Sequence, residues 1–452
     1  MNRPHPLRLA FSTVAFPVLL ASGYAVNAAQ PGGNSGGTVS DTLRLSLSQA
    51  METARHTAYA SQSAASRSEE SAARTAEARS ALLPHVGASA SEVVRSYNAS
   101  TFGVDFGPSF PAHVDPFQVQ DARIGARMTV WDGAAWMRYR AAKQGESSAG
   151  FQQKAGEEDA AMAGAESYLA LLRARSLVKA RRQEVTLAGQ LDTLTLAQKK
   201  AGSVTQLEVL RAHGQLSAAR MALAAATGDE ASARYMLLQV LNQPLDQEVV
   251  TTDTLSTIAG VTGDPDAAAS SRPEIAAAQA ELEAATAELR AARAGFLPVI
   301  EASGDYGLSG RKLYTSGAQW TEDLAVQLNW SLWDGGGRGA RIRQREAKVR
   351  QAQLRLANLR ARSSRDARLE QALLAVAREE SDRAAERVAL AEEEARLAAE
   401  KFRAGSSGNL DVISAQGSVS AAHAAYVDAL YGYNRTRLAA LRSLNLLGSE
   451  IH

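Results

Sequence analysis

Two stretches of this chain are close copies of each other. Gln198–His213 reads QKKAGSVTQLEVLRAH, and Lys401–Gln416 reads KFRAGSSGNLDVISAQ. Each sets Ala-Gly-Ser inside a long run of helix formers, where a glycine costs roughly 1 kcal/mol relative to alanine. The breaks belong to a larger repeat. Gly202 and Gly405 are 203 residues apart, as are Leu241-Asn242 and Leu444-Asn445. Trp131-Asp132-Gly133 recurs as Trp333-Asp334-Gly335 after 202 residues, and Leu83-Pro84 as Leu297-Pro298 after 214. Four matches in constant order describe a tandem duplication with loop-length differences.

Each copy has one grammar. A helix ends at Leu-Pro (Ser48–Leu83; Pro273–Leu297), with Pro273 suited to a first helical turn. A strand hairpin follows, over 84–131 and 298–333. Long helices are predicted over Gly133–Lys200 and Gly335–Arg403, then tip turns at 201–204 and 404–408. Helices return over 204–242 and 409–447. The first long helix has 68 residues, about 100 Å at 1.5 Å per residue. Leu171, Val178 and Val185 lie seven apart, a coiled-coil spacing. The return helix and Pro273–Leu297 together match that length, so the short helices are predicted to lie end to end beside the long ones. Between them, 243–272 carries Pro244, Pro265 and many Asp and Thr and reads as an irregular equatorial collar. The copies are thus 48–242 and 273–447, with a tail at 448–452.

The chain begins with an export pattern. Arg3 and Arg8 precede the apolar Leu9–Ala21, and small residues follow near Ala28, so 1–28 reads as a signal peptide and 29–47 as an extended segment. The apolar run is too short to span a bilayer, and no later segment is long and apolar enough for a transmembrane helix. With no cysteine, neither disulfides nor a lipid-modified Cys are expected. The net charge of +1 gives no case for nucleic acid.

The strands alternate. Ala122, Ile124, Ala126, Met128 and Val130 share one face, and Asp121, Arg123, Arg127 and Thr129 the other. In Asp323–Trp333, Leu324, Val326, Leu328, Trp330 and Leu332 oppose Asp323, Gln327, Asn329 and Ser331. Each run is long enough to cross a bilayer as a tilted strand, apolar side to lipid. A soluble half-buried sheet alternates in the same way. Export favours a barrel, and four strands cannot close one, so several chains must contribute, because open edges do not survive in lipid. Trp131, Trp330 and Trp333, with Tyr97 and Tyr306, are predicted interfacial aromatics. The connections Asn98–Pro116 and Ser309–Gln319 are then external loops.

Taken in order, Arg272-Pro273-Glu274-Ile275, the Leu-Pro helix ends, Leu332-Trp333-Asp334-Gly335-Gly336 and Phe402-Arg-Ala-Gly-Ser…Leu410-Asp411-Val412 resemble the outer-membrane efflux protein family, of which TolC is a member. The resemblance covers nearly all of the chain after its leader. It implies a mainly α protein with a membrane β-barrel portion: a homotrimer whose four strands per chain form a 12-stranded barrel continued by an α-helical tunnel. It implies a passive exit duct in the outer membrane, in contact with outer-membrane lipid. Its partners would be a periplasmic adaptor and an inner-membrane exporter of RND, ABC or MFS type, for efflux or type I secretion. The tip turns Ala201, Gly202, Ser203 and Ala404, Gly405, Ser406 would meet the adaptor. Asp411 matches the first acidic tip position, and Glu208 is its counterpart in the other copy. Ser414 and Ser407 stand where some members carry a second Asp and an Arg, so a carboxylate–arginine lock is not implied. Acidic residues after a turn also suit a helix N-terminus. The Asp411 copy is expected nearer the axis.

An enzyme finds little support. The seven His are scattered, with no metal-ligand spacing and no Cys nucleophile. Gly335-Gly336-Gly337 lacks a phosphate-loop pattern and reads as a strand–helix junction with Asp334 as N-cap. No cofactor is expected. The alternative to a duct is a soluble periplasmic coiled-coil adaptor or scaffold, which accounts for the helices and leaves both hairpins unexplained.

Overall fold

The computed structural model describes residues 42–98, 113–257, 261, 263–264, 270–313 and 317–447. The proposed leader 1–28, the tail 448–452 and the inner parts of both hairpin connections lie outside the described residues. The elements are β1 (Leu43–Leu45), α1 (Leu47–Thr57), α2 (Tyr59–Ser80), β2 (His85–Asn98), β3 (His113–Trp131), α3 (Gly133–Lys200), α4 (Gln206–Val240), β4 (Val249–Thr251), α5 (Pro273–Ala294), β5 (Val299–Gly310), β6 (Gln319–Asn329), α6 (Gly337–Arg403) and α7 (Asn409–Ser443).

All four helices that end at a repeat landmark stop in the same way. The residue after the cap is left-handed: Gly202 (φ 75°), Asn242 (52°), Gly405 (71°) and Asn445 (58°). In each, the next N–H bonds back five residues, Ser203 to Gln198, Gln243 to Leu238, Ser406 to Lys401 and Leu446 to Leu441, at 2.8–3.0 Å. This double closure satisfies carbonyls the helix would leave orphaned, and Gly and Asn are the residues that enter this conformation at least cost.

The strands form one antiparallel sheet in the order β2-β3-β5-β6. Above the equator the helices lie in the order α2-α3-α5-α6, and below it in the order α4-α3-α7-α6. At the junction β1 and β4 pair in parallel, Leu43 opposite Val249. The collar therefore contains a strand, where the sequence suggested only irregular chain. This region holds the main core: Leu45, Ala50, Ala54, Tyr168, Leu171, Leu237, Leu241, Leu438 and Leu441 are all nearly inaccessible. Tyr168 donates its hydroxyl to Leu45 O (2.9 Å) and the Asp253 carboxylate (3.1 Å), tying α3 to β1 and the collar. Burial is the main reason its phenol is pushed up to about 12.

Arg442 of α7 clamps the same level from the other side, bonding Glu158 (2.6 Å) and Asp159 (2.9 Å) of α3 and Glu274 (2.5 Å) of α5. Burial works to raise both glutamates. At Glu274 the opposing pull of Arg442 and Arg272 wins and the carboxyl lies below the ordinary range, whereas at Glu158 burial wins and it lies above.

Several boundaries differ from the sequence reading. The helix expected over Ser48–Leu83 is two, broken at Ala58, whose ψ of 141° is extended. The Ser61 hydroxyl bonds Arg55 O across the break, and the Thr57 hydroxyl bonds Leu241 O, which holds it from outside the helix. The strand expected to reach Trp333 ends at Asn329, opposite Val299. Its next partner would be Pro298, which has no N–H to continue the ladder. The long helix accordingly starts at Gly337 rather than Gly335, after left-handed Gly335 and Gly336. Gly336 is its N-cap; Asp334 instead accepts from the Arg338 N–H at 2.9 Å. In the first copy Asp132 does cap α3, accepting from Ala134 N at 2.7 Å. The returning helices are also shorter, starting at Gln206 and ending at Val240 and Ser443.

Candidate functional site

At the far end of the helices the two turns lie side by side. Phe402, Leu191, Ala212 and Val412 form a small core beneath them. The side-chain amide of Asn409, 1% exposed, donates from Nδ2 to Glu208 O at 2.7 Å and so joins the start of α7 to the first turn of α4. The two acidic tip residues occupy unlike surroundings. The half-buried Glu208 closes a capping box: its Oε2 accepts from Thr205 N (2.7 Å), while Thr205 Oγ1 caps α4. This arrangement satisfies two helix N-terminal donors within one copy. Asp411 occupies the matching third position of α7, but its N-cap is Gly408, which offers no side chain. Asp411 is exposed, and its carboxylate makes no hydrogen bond or ion pair among the described residues. Asn409 was not singled out from the sequence. Its signal is weak: an Asn directly after Gly408 reads as turn chemistry, and its partner is 201 residues away.

At the other end, the two faces of the sheet differ in chemistry. Directly opposed residues share a face, so Ala88, Ile124 and Tyr306 align on one side, and Val86, Ala126 and Leu324 with them. Ile124, Leu324, Val326 and Leu328 are exposed there, Leu324 at 89%. On the other face Arg123 donates to Asp121 and Asp305, both at 2.7 Å, and to Asp323 at 3.3 Å, spanning three strands. Gly307 makes room for it, because a Cβ there would lie 2.5 Å from Arg123 Cγ. Trp131 ends β3, whereas Trp330 and Trp333 stand in the connection after β6, where Trp330 Nε1 donates to Phe296 O at 3.0 Å. Tyr306 stacks on Trp320 with centroids 4.9 Å apart. Tyr97 turns to the charged face, bonded by Arg95 (2.8 Å) and beside Phe117.

Between these ends, both margins of the chain are open. One margin consists of β2, α2 and α4; the other of β6 and α6. On α4, Leu207, Leu210, Met221 and Tyr235 are exposed at 45–72%. They fall on a three-four spacing that continues through Gly214, Ser217, Ala224 and Gly228. On α6, Leu369, Val376, Leu390 and Leu397 are exposed and sit on one seven-residue stripe, with Arg383 in its middle position. A groove of about 550 Å³ runs between α3 and α6 over α7, crossed by His423–Glu392 (3.0 Å). Among the described residues no group of His, Asp and Glu could hold a metal ion, and no helix is long and apolar enough to cross a membrane.

A sheet with an apolar outer face and open edges, continued by a layer of helices also open at both margins, is a stave of a tube. The class is a membrane channel with a helical extension. Residues 265–446, which take in most of the second copy, match the family described as outer membrane efflux protein. No curated protein matches the sequence. Most of the chain shares its fold with solved membrane proteins. A membrane protein from Pseudomonas aeruginosa superposes with a TM-score of 0.77 at 20% identity, over 88% of this chain and 93% of that one. The outer membrane channel CmeC of Campylobacter jejuni gives 0.78 at 16%, over 90% and 87%. The outer membrane protein VceC of Vibrio cholerae gives 0.74 at 16%, over 88% and 95%.

Proposed function

We propose that the protein is the outer-membrane duct of an efflux system, a passive conduit made of three copies of this chain. The observation that carries this reading is the pair of open margins. In lipid, β2 and β6 must be paired, and only ring closure pairs every edge. The helical margins complement each other as well: the Leu stripe of α6 faces out on one side, and the small-residue stripe of α4 on the other. The two run antiparallel, and a left-handed coiled coil joins such stripes. The contact is heterologous, so each copy uses both margins and the ring closes.

In this reading Asp411 rings the periplasmic mouth and favours cations, and Glu208 organises the turn beside it. The six tip turns and the groove over α7 receive a periplasmic adaptor, which links the duct to an inner-membrane exporter. Trp131, Trp330 and Trp333 mark the periplasmic edge of the membrane-spanning sheet. Leu210 and Leu397 both lie within two turns of the tip. Cysteines at these two positions should join chains into covalent trimers, while either cysteine alone should not. Cross-linking confined within single chains would reject the ring.

A further inference from the structure

The first half of α6, from the barrel to the equator, is unlike any other segment of the chain. Gly337–Arg368 holds eleven Arg and Lys against two carboxylates, a net +9. The matching stretch of α3, Gly133–Gly164, is balanced at four and four, and the rest of α6 is acidic. The fold therefore does not require the charge, since its own duplicate does without it.

The basic residues do not surround the helix evenly. Gln371 donates to the collar at Gly263 O (3.0 Å) and marks the collar side of α6. Arg343 and Arg350 lie on its seven-residue stripe. A second stripe, Arg341, Lys348, Arg355 and Arg362, runs along the opposite flank. Arg355 fixes the side: it reaches over α5 to Glu281 (2.7 Å), which Gln152 of α3 also contacts. Arg360, by contrast, reaches Gln279 on the other side of α5. The collar would plug the tube if it lay inside, so the flank away from it faces the bore. Arg341 is met by Asp334 and Arg355 by Glu281. Lys348 and Arg362 are exposed and have no ion pair among the described residues. The margin that a neighbouring copy would present here, α2, carries three Glu and three Arg and cannot neutralise the stripe.

We propose, resting on the duct reading above, that the bore between barrel and equator is an anion-binding sleeve. It would concentrate solutes bearing two or more carboxylate or phosphate groups. The four cations of the stripe, about 10 Å apart, span roughly 32 Å of tunnel; two of them, Lys348 and Arg362, have no carboxylate partner among the described residues, so three chains place six such charges around it. Guanidinium groups pair such oxyanions through two parallel hydrogen bonds. Low-dielectric walls focus the field in the bore, so the solute is held more strongly than it would be on an open surface.

The test is current block in planar bilayers at 0.1 M salt, with sodium tripolyphosphate added on the external side. The wild-type pore should be blocked in a concentration-dependent way. In the double variant Lys348→Gln, Arg362→Gln the blocking concentration should rise about fivefold or more. The collar-side control Arg343→Gln, Arg350→Gln should match the wild type. Equal relief in both variants, or relief in neither, overturns the sleeve while leaving the duct intact. A purified protein that forms no pores overturns the duct and the sleeve with it.

Discussion

Replacing Gly164 with alanine sets two ordinary rules against each other. The residue lies mid-way along α3, where helix propensity alone favours alanine by roughly 1 kcal/mol. Yet a Cβ at 164 would stand 2.6 Å from Ala54 Cβ and 2.9 Å from Ala50 O. Carbon atoms pack at about 3.5–4.0 Å, so α1 would have to retreat by about 1 Å. The obstacle is helix backbone and a β-carbon, neither of which can rotate away. Overpacking of this kind costs about 1–3 kcal/mol, and at a contact this short the upper part applies, leaving a net loss of about 1–2 kcal/mol. Gly145 supplies the control on the same helix, since a Cβ there would meet nothing within 4 Å. There, alanine should stabilise by up to about 1 kcal/mol. The assay is the rate of helix loss in concentrated urea, followed by circular dichroism. Gly164→Ala should unfold up to about tenfold faster than wild type, and Gly145→Ala more slowly. If both variants shift in the same direction, propensity governs and the close approach of α1 is not a real constraint.

Further expectations concern the equator, the tip and the barrel. The Tyr168 phenol titrates at about 12 in the fold, above its ordinary 10. Its contribution is therefore complete below pH 10 and lost as pH rises towards 12. Tyr168→Phe should cost about 1–3 kcal/mol near neutral pH and flatten that alkaline limb in a pH series of urea melts. At the tip, Asp411→Ala should weaken cation preference in bilayer recordings. Glu208→Ala should leave selectivity nearly unchanged and cost about 1 kcal/mol of helix capping in the same urea assay; equal loss of selectivity would reverse the two roles. In the barrel, Leu324→Arg should block assembly in the outer membrane, at about 2–4 kcal/mol near mid-bilayer. Ala325→Arg, on the face shared with Arg123, should assemble normally. Fractionation of the two variants reads the difference.

Much of the architecture is legible from local pattern. Helix length, the glycine at each break and the period-two strands report physics that acts within a few residues. A duplication then makes each signal appear twice. The paired Asn242 and Asn445 illustrate the point: both are left-handed and both end a helix in the same hydrogen-bond pattern. Other features were not legible. The end of β6 depends on Pro298, just before the strand it pairs with, and the break at Ala58 on Leu241 O at the end of another helix. Glu208 and Asp411 hold matching places in the repeat, and what separates them is local: Thr205 three residues before one completes a capping box, whereas Gly408 three residues before the other has no side chain.

By itself, then, the sequence determined that this chain is two copies of a helix–hairpin–helix plan, with helices about 100 Å long and strands suited to lipid. These follow from periodicity and propensity, which need no knowledge of neighbours. Only the tertiary structure decided which margins remain open, which flank of α6 lies away from the collar and how the two tip turns are joined. Each of those depends on groups brought together from positions up to some 200 residues apart, as Asn409 and Glu208 are. Such contacts are set by how whole elements pack, and no local pattern encodes them.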